Sequence, residues 1–335
     1  MDFRKLFTDK DVEKHKIIKE TNTQNTTDNT NSFDANNRNF KEWGDFFHKN
    51  GYVILNNAIN EQDRNELRTD LQRENNKNQK NSKNKKYDGS KHVVNKCFFE
   101  NSNKTIELIE SSVLYDFAQY LIADVPTVAT QHSQSEAELS SASKQCLPRV
   151  NESLQKQRVG GRGNTLKAHL IHNNAFTVPP NGRGQAPTFH TDDCLQNVII
   201  PEGKTLPEWI RLPVMVVTWM CWLSDCDTPE KGPTHVVPGS HRFGRTVDRD
   251  LAEKLAIPAC GKAGTCVLIN NQVWHRGCEN TSDTPRETLQ LTFARRIIGH
   301  KHKSIMNYNM PKHVYENKKE ETKERLGFLQ GGAYS

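Results

Sequence analysis

Apolar positions follow two different rhythms along this chain. Between residues 39 and 125 they recur every three or four places. Phe40, Trp43, Phe46 and Phe47 share one helical face, and Asn50-Gly51 closes that helix, because glycine readily takes the left-handed conformation that ends one. "YVILNN" (52–57) predicts a short strand. "INEQDRNELRTDLQ" (59–72) predicts a second helix with Leu67 and Leu71 on its buried side. Residues 104–125 read as one amphipathic helix whose stripe is Ile106, Ile109, Val113, Phe117 and Leu121. Core packing accounts for that stripe, so no function is attached to it. From about residue 164 the rhythm changes to short β runs broken by Gly and Pro. They are "TLKAHLIHNNAFTV", "APTFHTDD", "PVMVVTWMCWL", "THVVPGS", "GTCVLINNQVWHRG" and "RETLQLTFARRII". This spacing predicts a sandwich or barrel rather than βαβ units. "KHVYENKKEETKERLG" (312–327) reads as a charged helix.

Polarity is concentrated outside these elements. Hydrophobic residues make up 34% of 335, and the mean hydropathy is −0.81. Residues 21–38 are nearly all Asn, Thr, Asp and Ser, which cannot bury enough apolar surface to offset the entropy of ordering. Residues 1–38 are therefore expected to form a flexible N-terminal segment, and 39–335 a single domain with its β core at about 164–298. The Asn/Lys stretch 76–91 reads as a solvated loop, and 133–146 as a loop or short exposed helix.

The formal charge of +6 comes without a basic stripe or nucleic-acid-binding module, so no nucleic-acid partner is expected. The eight cysteines form no CxxC pair, and no run of 18 apolar residues appears. The expectation is a soluble cytoplasmic protein with free thiols and no membrane partner.

The chemistry is concentrated in "FHTDDCLQ" (189–196). His190 and Asp192 are two apart, so on a strand they share a face. A third ligand is available in His275 of "INNQVWHRG", also at the end of a β run. Two histidines and a carboxylate on a β scaffold match the facial triad of non-haem Fe(II) oxygenases, and zinc would accept the same set. Arg286 favours iron. It opens the strand after His275, which is expected to run back beside the His275 strand and to bring Arg286 into the same cavity. A guanidinium there can hold the far carboxylate of 2-oxoglutarate through paired hydrogen bonds, an arrangement a zinc hydrolase does not need. Asp193 reads as an outer acceptor or surface acid, and His235 and His241 as structural. His169 and His172 remain unassigned, and the Gly/Arg loops 158–163 and 179–185 read as solvated turns.

Four segments in this order resemble the phytanoyl-CoA dioxygenase family of Fe(II)/2-oxoglutarate oxygenases. They are "FHKNGYVILNNAINEQDRNELR", "GQAPTFHTDD", "GPTHVVPGSHR" and "WHRGCENTSDTPR". The resemblance covers roughly 40–72 and 165–298. It implies a double-stranded β-helix, a relative of the jelly roll, with flanking helices in a mainly β, α+β chain. It also implies that His190, Asp192 and His275 bind Fe(II), that Arg286 binds 2-oxoglutarate, and that Gln185 and Trp219 border that cosubstrate. With O2, such a site oxidises a C–H bond of a small-molecule substrate and releases succinate and CO2. Hydroxylation is the leading expectation. Desaturation or cyclisation at the same iron, a cupin-like metal hydrolase and a non-catalytic barrel are the alternatives. Halogenases of this kind lose the carboxylate to make room for chloride, so Asp192 argues against halogenation. Gly277 stands where some relatives carry a serine beside the cosubstrate. Segments 74–92, 126–163 and 196–212 are long for the family, and selectivity usually lies there.

Overall fold

The structure is a computed structural model that describes residues 32–81, 92–124, 167–184, 186–192, 200, 204–207, 210–244, 246–302 and 308–328. Segments 21–31 and 133–146, part of the Asn/Lys stretch, Gln185 and Asp193 lie outside the described residues. Helix α1 (Phe40–Asn50) forms as its periodicity predicts. Asn39 caps its start by accepting from the Glu42 backbone N–H, and Gly51, at φ 77°, ends it.

Seven strands make the larger sheet. In spatial order they are β1 (Ser32–Asp34), β2 (Tyr52–Asn56), β8 (Cys266–Asn270), β5 (Val216–Trp222), β10 (Arg286–Arg295), β4 (Ala168–Val178) and β3 (Val93–Lys96). The β1–β2 pair is parallel and the other pairs are antiparallel. A smaller sheet has the order β7 (Ile257–Pro258), β6 (His235–Val236) and β9 (His275–Arg276). His190 extends it through an isolated bridge to His275. The two sheets enclose one cavity, as the expected double-stranded β-helix requires.

Strand parity divides the residues of the larger sheet between two environments. On β5, Val217, Trp219 and Cys221 face the helical layer, while Thr218, Met220 and Trp222 line the cavity. The helical layer comprises α1, α3 (Asn103–Glu110) and α4 (Val113–Ala123). Trp43 meets Phe117 edge-on at 5.3 Å, and Trp219 donates its indole N–H to the Leu114 carbonyl at 2.9 Å. Burying aromatic bodies of this size is the main apolar gain of the layer, roughly 1.5–3 kcal/mol for each side chain.

Several expected elements come out differently. The predicted helix 104–125 is two helices, because Ser112 serves both ends of a break. Its hydroxyl donates to the Leu108 carbonyl that closes α3 and accepts from the Tyr115 N–H that opens α4. Helix α2 (Glu61–Asn81) continues into the stretch expected to be a solvated loop, since Asn, Lys and Gln stay helical once a nucleus precedes them. The C-terminal charged helix is two short pieces, α6 (Lys312–Tyr315) and α7 (Glu320–Arg325). Described structure begins at Ser32, ahead of the boundary expected at 39, because Ser32–Asp34 finds a strand partner in Ile54–Asn56. Helix α5 (Arg249–Leu255) and β3 carry no strong periodicity and escaped prediction. Among the described residues no helix is long and apolar enough to cross a membrane.

Gly51 marks a tight junction. Besides its positive φ, a Cβ there would collide with His241 and Val273. Gly51→Ala should destabilise the protein by about 3 kcal/mol, combining left-handed strain with overpacking. Urea unfolding would read this as a lowered midpoint at unchanged slope, and an unchanged midpoint would contradict the junction's role.

Candidate metal centre

The ligand histidines are brought together by the backbone. His190 N–H donates to the His275 carbonyl at 2.9 Å, and His275 N–H donates back at 3.0 Å. Directly opposed residues of an antiparallel pair project to one face, so the rings stand 4.4 Å apart between centroids. Asp192 follows on the same face, and its N–H is held by the Asn271 carbonyl at 3.1 Å. Asn271 belongs to the turn in which the chain leaves β8 for β9, crossing from the large sheet to the small one. The segment "APTFHTDD" is thus a bridge of one residue rather than the strand its alternation predicts.

Both imidazoles are oriented in the same way. His190 Nδ1 lies 2.9 Å from the Thr188 carbonyl, and His275 Nδ1 lies 2.9 Å from the Val273 carbonyl. A carbonyl only accepts, so each Nδ1 carries the proton and each Nε2 keeps its lone pair. Asp192 Oδ1 lies 3.6 Å from His190 Nε2 and 3.5 Å from His275 Nε2. The three donor atoms all fall within 4.8 Å of one another, so this face could hold a metal ion. Donors about 2.1 Å from an ion sit ~3.0 Å apart at right angles and ~3.4 Å apart at the tetrahedral angle. Spacing therefore admits iron or zinc, and the rest of the cavity must separate them.

Electrostatics fit a cation. Crowding by protein pushes the Asp192 carboxyl up, but attraction to His275 and the close approach of both imidazoles hold it well below the ordinary carboxylate range. Asp192 is also exposed to water at this site, which weakens the crowding effect. The Asp192 contact in turn raises the pKa of His190 against the opposing effect of its burial.

Arg286 lines the same cavity, of about 310 Å³, but reaches it by another route than expected. Its strand β10 pairs with β4 and β5, not with β9, so Arg286 comes from the opposite sheet. It is 3% exposed. Nη1 donates to the Cys278 carbonyl at 3.3 Å, and Nε has no protein partner. Burial lowers its pKa. Gly232 makes room for it, since a Cβ there would lie 2.8 Å from Nη1. A buried guanidinium with an unfilled donor fits an anionic ligand, such as the far carboxylate of a dicarboxylate chelating the ion.

The other candidates divide. Trp219 is in the wrong parity for the cavity and packs under the helices, so its expected place beside the cosubstrate is not borne out by its position. Trp222, on the same strand, lines the cavity instead. Gln185 is outside the described residues. His241 is buried with a pKa pushed down to about 3, and its Nε2 meets the His48 carbonyl, in keeping with a structural role. The sequence left His172 unassigned and did not single out Asn174, Thr218, Gln290 or Thr292, all lining the cavity. Counting by twos from Arg286 would have found Gln290 and Thr292.

The family model for phytanoyl-CoA dioxygenase (PhyH) matches residues 47–288, which contain all three ligand candidates and Arg286. The chain belongs to the phytanoyl-CoA dioxygenase family. Within curated proteins, dioxygenase aneA of Aspergillus aculeatus is 37% identical over 121 residues, 35% of this chain and 38% of that protein. Multifunctional dioxygenase prhA of Penicillium brasilianum is 26% identical over 160 residues, 41% of this chain and 52% of that protein. The chain thus matches about half or less of the length of these relatives. The chain also resembles solved structures. HygX from Streptomyces hygroscopicus, crystallised with nickel and 2-oxoglutarate, superposes with a TM-score of 0.51 at 12% identity, covering 77% of this chain and 88% of HygX. SnoN, a non-haem alpha-ketoglutarate-dependent epimerase from nogalamycin biosynthesis, gives 0.50 at 12% identity, covering 81% and 92%. At such identity the likeness is one of fold, a jelly-roll core with flanking helices.

The protonation of the triad gives a test. Metal binding needs neutral imidazoles, and His190 holds its proton to higher pH than an ordinary histidine. Acid therefore competes with metal early. The apparent affinity for Mn(II) or Ni(II), measured by calorimetry, should fall as the pH is lowered through the histidine range, approaching ~10-fold per pH unit for each proton displaced. A flat profile over that range would rule out the imidazoles as ligands.

Proposed function

We propose that this protein is an Fe(II)- and 2-oxoglutarate-dependent dioxygenase that oxidises, most simply by hydroxylation, a C–H bond of a small-molecule metabolite. The observation that carries the reading is one cavity with a His/Asp/His face on the small sheet and a buried, incompletely satisfied Arg286 on the large one. Iron bound there would couple oxidative decarboxylation of 2-oxoglutarate by O2 to substrate oxidation, with succinate and CO2 as coproducts. Metal binding would draw on the neutral Nε2 atoms of His190 and His275, and Asp192 would remain ionised across the physiological range. Arg286 would anchor the far carboxylate of the cosubstrate, which sets the reach of its chelating end. Trp222, Met220 and Phe176 give that part of the cavity apolar walls, which keep water from competing for the guanidinium.

Asp192 occupies the place that a halide would need, which speaks against halogenation. Desaturation and ring closure begin with the same hydrogen abstraction and remain the second reading within this chemistry. A hydrolytic zinc site would leave buried Arg286 without a role. The cysteines among the described residues are free thiols, which supports a reducing compartment, the cytoplasm.

Protein reconstituted with Fe(II), 2-oxoglutarate and O2 in the presence of a broad metabolite mixture should release succinate above background. Asp192→Ala and His275→Ala should each lower that release by about a thousandfold or more, because either leaves an incomplete iron face. Arg286→Leu should instead raise the half-saturating 2-oxoglutarate concentration by ~30-fold or more, the loss of a charge-assisted pair. Unchanged turnover in either triad variant, or an unchanged half-saturating 2-oxoglutarate concentration in Arg286→Leu, would sink the assignment, and turnover without O2 would favour a hydrolase.

A further inference from the structure

The large-sheet wall of the cavity carries a chain of hydrogen bonds that 2-oxoglutarate does not explain. It begins where the segment after β10 returns to β4. Lys301 N–H donates to the Ile171 carbonyl at 2.7 Å, and the Lys301 carbonyl lies 3.1 Å from His172 Nδ1. Since the carbonyl only accepts, Nδ1 carries the proton and Nε2 is an acceptor. Burial lowers the pKa of His172, in keeping with a neutral ring.

That tautomer fixes the Asn174 amide. Asn174 Nδ2 lies 2.8 Å from His172 Nε2 and 3.0 Å from Gln290 Oε1. Only the amino end of the amide can satisfy the imidazole acceptor, and it gives one hydrogen to each partner. Asn174 Oδ1 is left over. The side chain lines the cavity, the residue is 5% exposed, and Oδ1 has no partner within the protein. A buried acceptor without a donor is costly, and a slight turn of the side chain would open Oδ1 to the cavity, so a ligand on this wall gains by supplying an N–H or O–H.

2-Oxoglutarate cannot supply one, since its carboxylates and keto group only accept at neutral pH. A hydroxyl can, and it can accept in the same contact. Gln290 is paired directly across from Asn174, and with Oε1 committed its Nε2 remains a donor. An ammonium group would match only the acceptor of this pair, and a carboxylate only the donor.

We propose that the cavity takes a hydroxyl-bearing small molecule and that Asn174, set by His172 and Gln290, reads its hydroxyl. The proposal rests on the iron/2-oxoglutarate reading and narrows its substrate class. Asn174 acts by direct contact with substrate, while His172 positions Asn174 and touches neither iron nor cosubstrate in this scheme.

The test uses the full chain loaded with Mn(II) and 2-oxoglutarate. The probes are a panel of matched alcohols, methyl ethers and deoxy compounds on sugar, cyclohexane and aromatic frames, with binding measured by calorimetry. Alcohols should bind ~10-fold or more tightly than their ethers, the discrimination expected when a built hydrogen-bond site loses its partner. Asn174→Leu should bring that ratio to within ~2-fold. Gln290→Leu, on the neighbouring strand, should reduce it independently, which covers the case in which the first variant folds poorly. A panel in which no alcohol outbinds its ether overturns the proposal. So does an Asn174→Leu protein that keeps the ratio but loses 2-oxoglutarate binding, because Asn174 would then serve the cosubstrate. A wild-type protein that binds Mn(II) but then fails to bind 2-oxoglutarate defeats the cosubstrate reading instead. The same panel on the Mn(II) form then still decides the hydroxyl contact.

Discussion

Two backbone hydrogen bonds between His190 and His275 organise the rest of this site. They join a short segment after β4 to a two-residue strand far along the chain, and they do so at the one register that puts both imidazoles on the cavity side. Slipping that pairing by one residue would turn Phe189 and Trp274 inward and both histidines outward. The alternative is blocked from the other side. Phe189 and Trp274 are buried together with Phe243 and Val237 in a small apolar cluster of their own. Register is thus held by apolar packing behind the sheet, and chemistry occupies the face in front.

The larger sheet has the complementary task. Its outer face is covered by the helical layer through Trp43, Phe117 and Trp219, and its inner face carries polar and charged side chains that a core would not tolerate. Several of those inner groups are not satisfied by the protein. Arg286 Nε, Thr288 Oγ1 and Asn174 Oδ1 all lack partners. Each costs stability unless a ligand group pairs with it, and the Arg286 and Asn174 atoms define the sign of that group, while the Thr288 hydroxyl can donate or accept. The guanidinium asks for an anion and the Asn174 oxygen asks for a donor. The two demands are of opposite kind, as the proposed pairing of a cosubstrate with a substrate requires.

Much of the candidate site was legible in the sequence. His190, Asp192, His275 and Arg286 were readable because their spacing follows strand parity and a short linear order. The long strands β4, β5 and β10 were readable because their apolar runs are bounded by Gly and Pro. Trp219 was misread by one parity step, since nothing in "VVTWMCW" alone says which of two well-buried faces meets the ligand. The break at Ser112 was hidden because an amphipathic stripe continues across it, and a serine signals a cap only when the chain actually turns there.

What the sequence determined by itself was the candidate chemistry: local spacing and side-chain type mark out a candidate donor set and a candidate anion anchor, and both are short-range properties. The tertiary structure decided which sheet delivers each group. Arg286 reaches the metal face from across the cavity rather than from a neighbouring strand, because β10 finds its hydrogen-bond partners in β4 and β5, distant in sequence. It also decided that Asn174 would keep an unused oxygen. That outcome depends on Lys301, His172 and Gln290 meeting in space, and no reading of adjacent residues contains such a meeting.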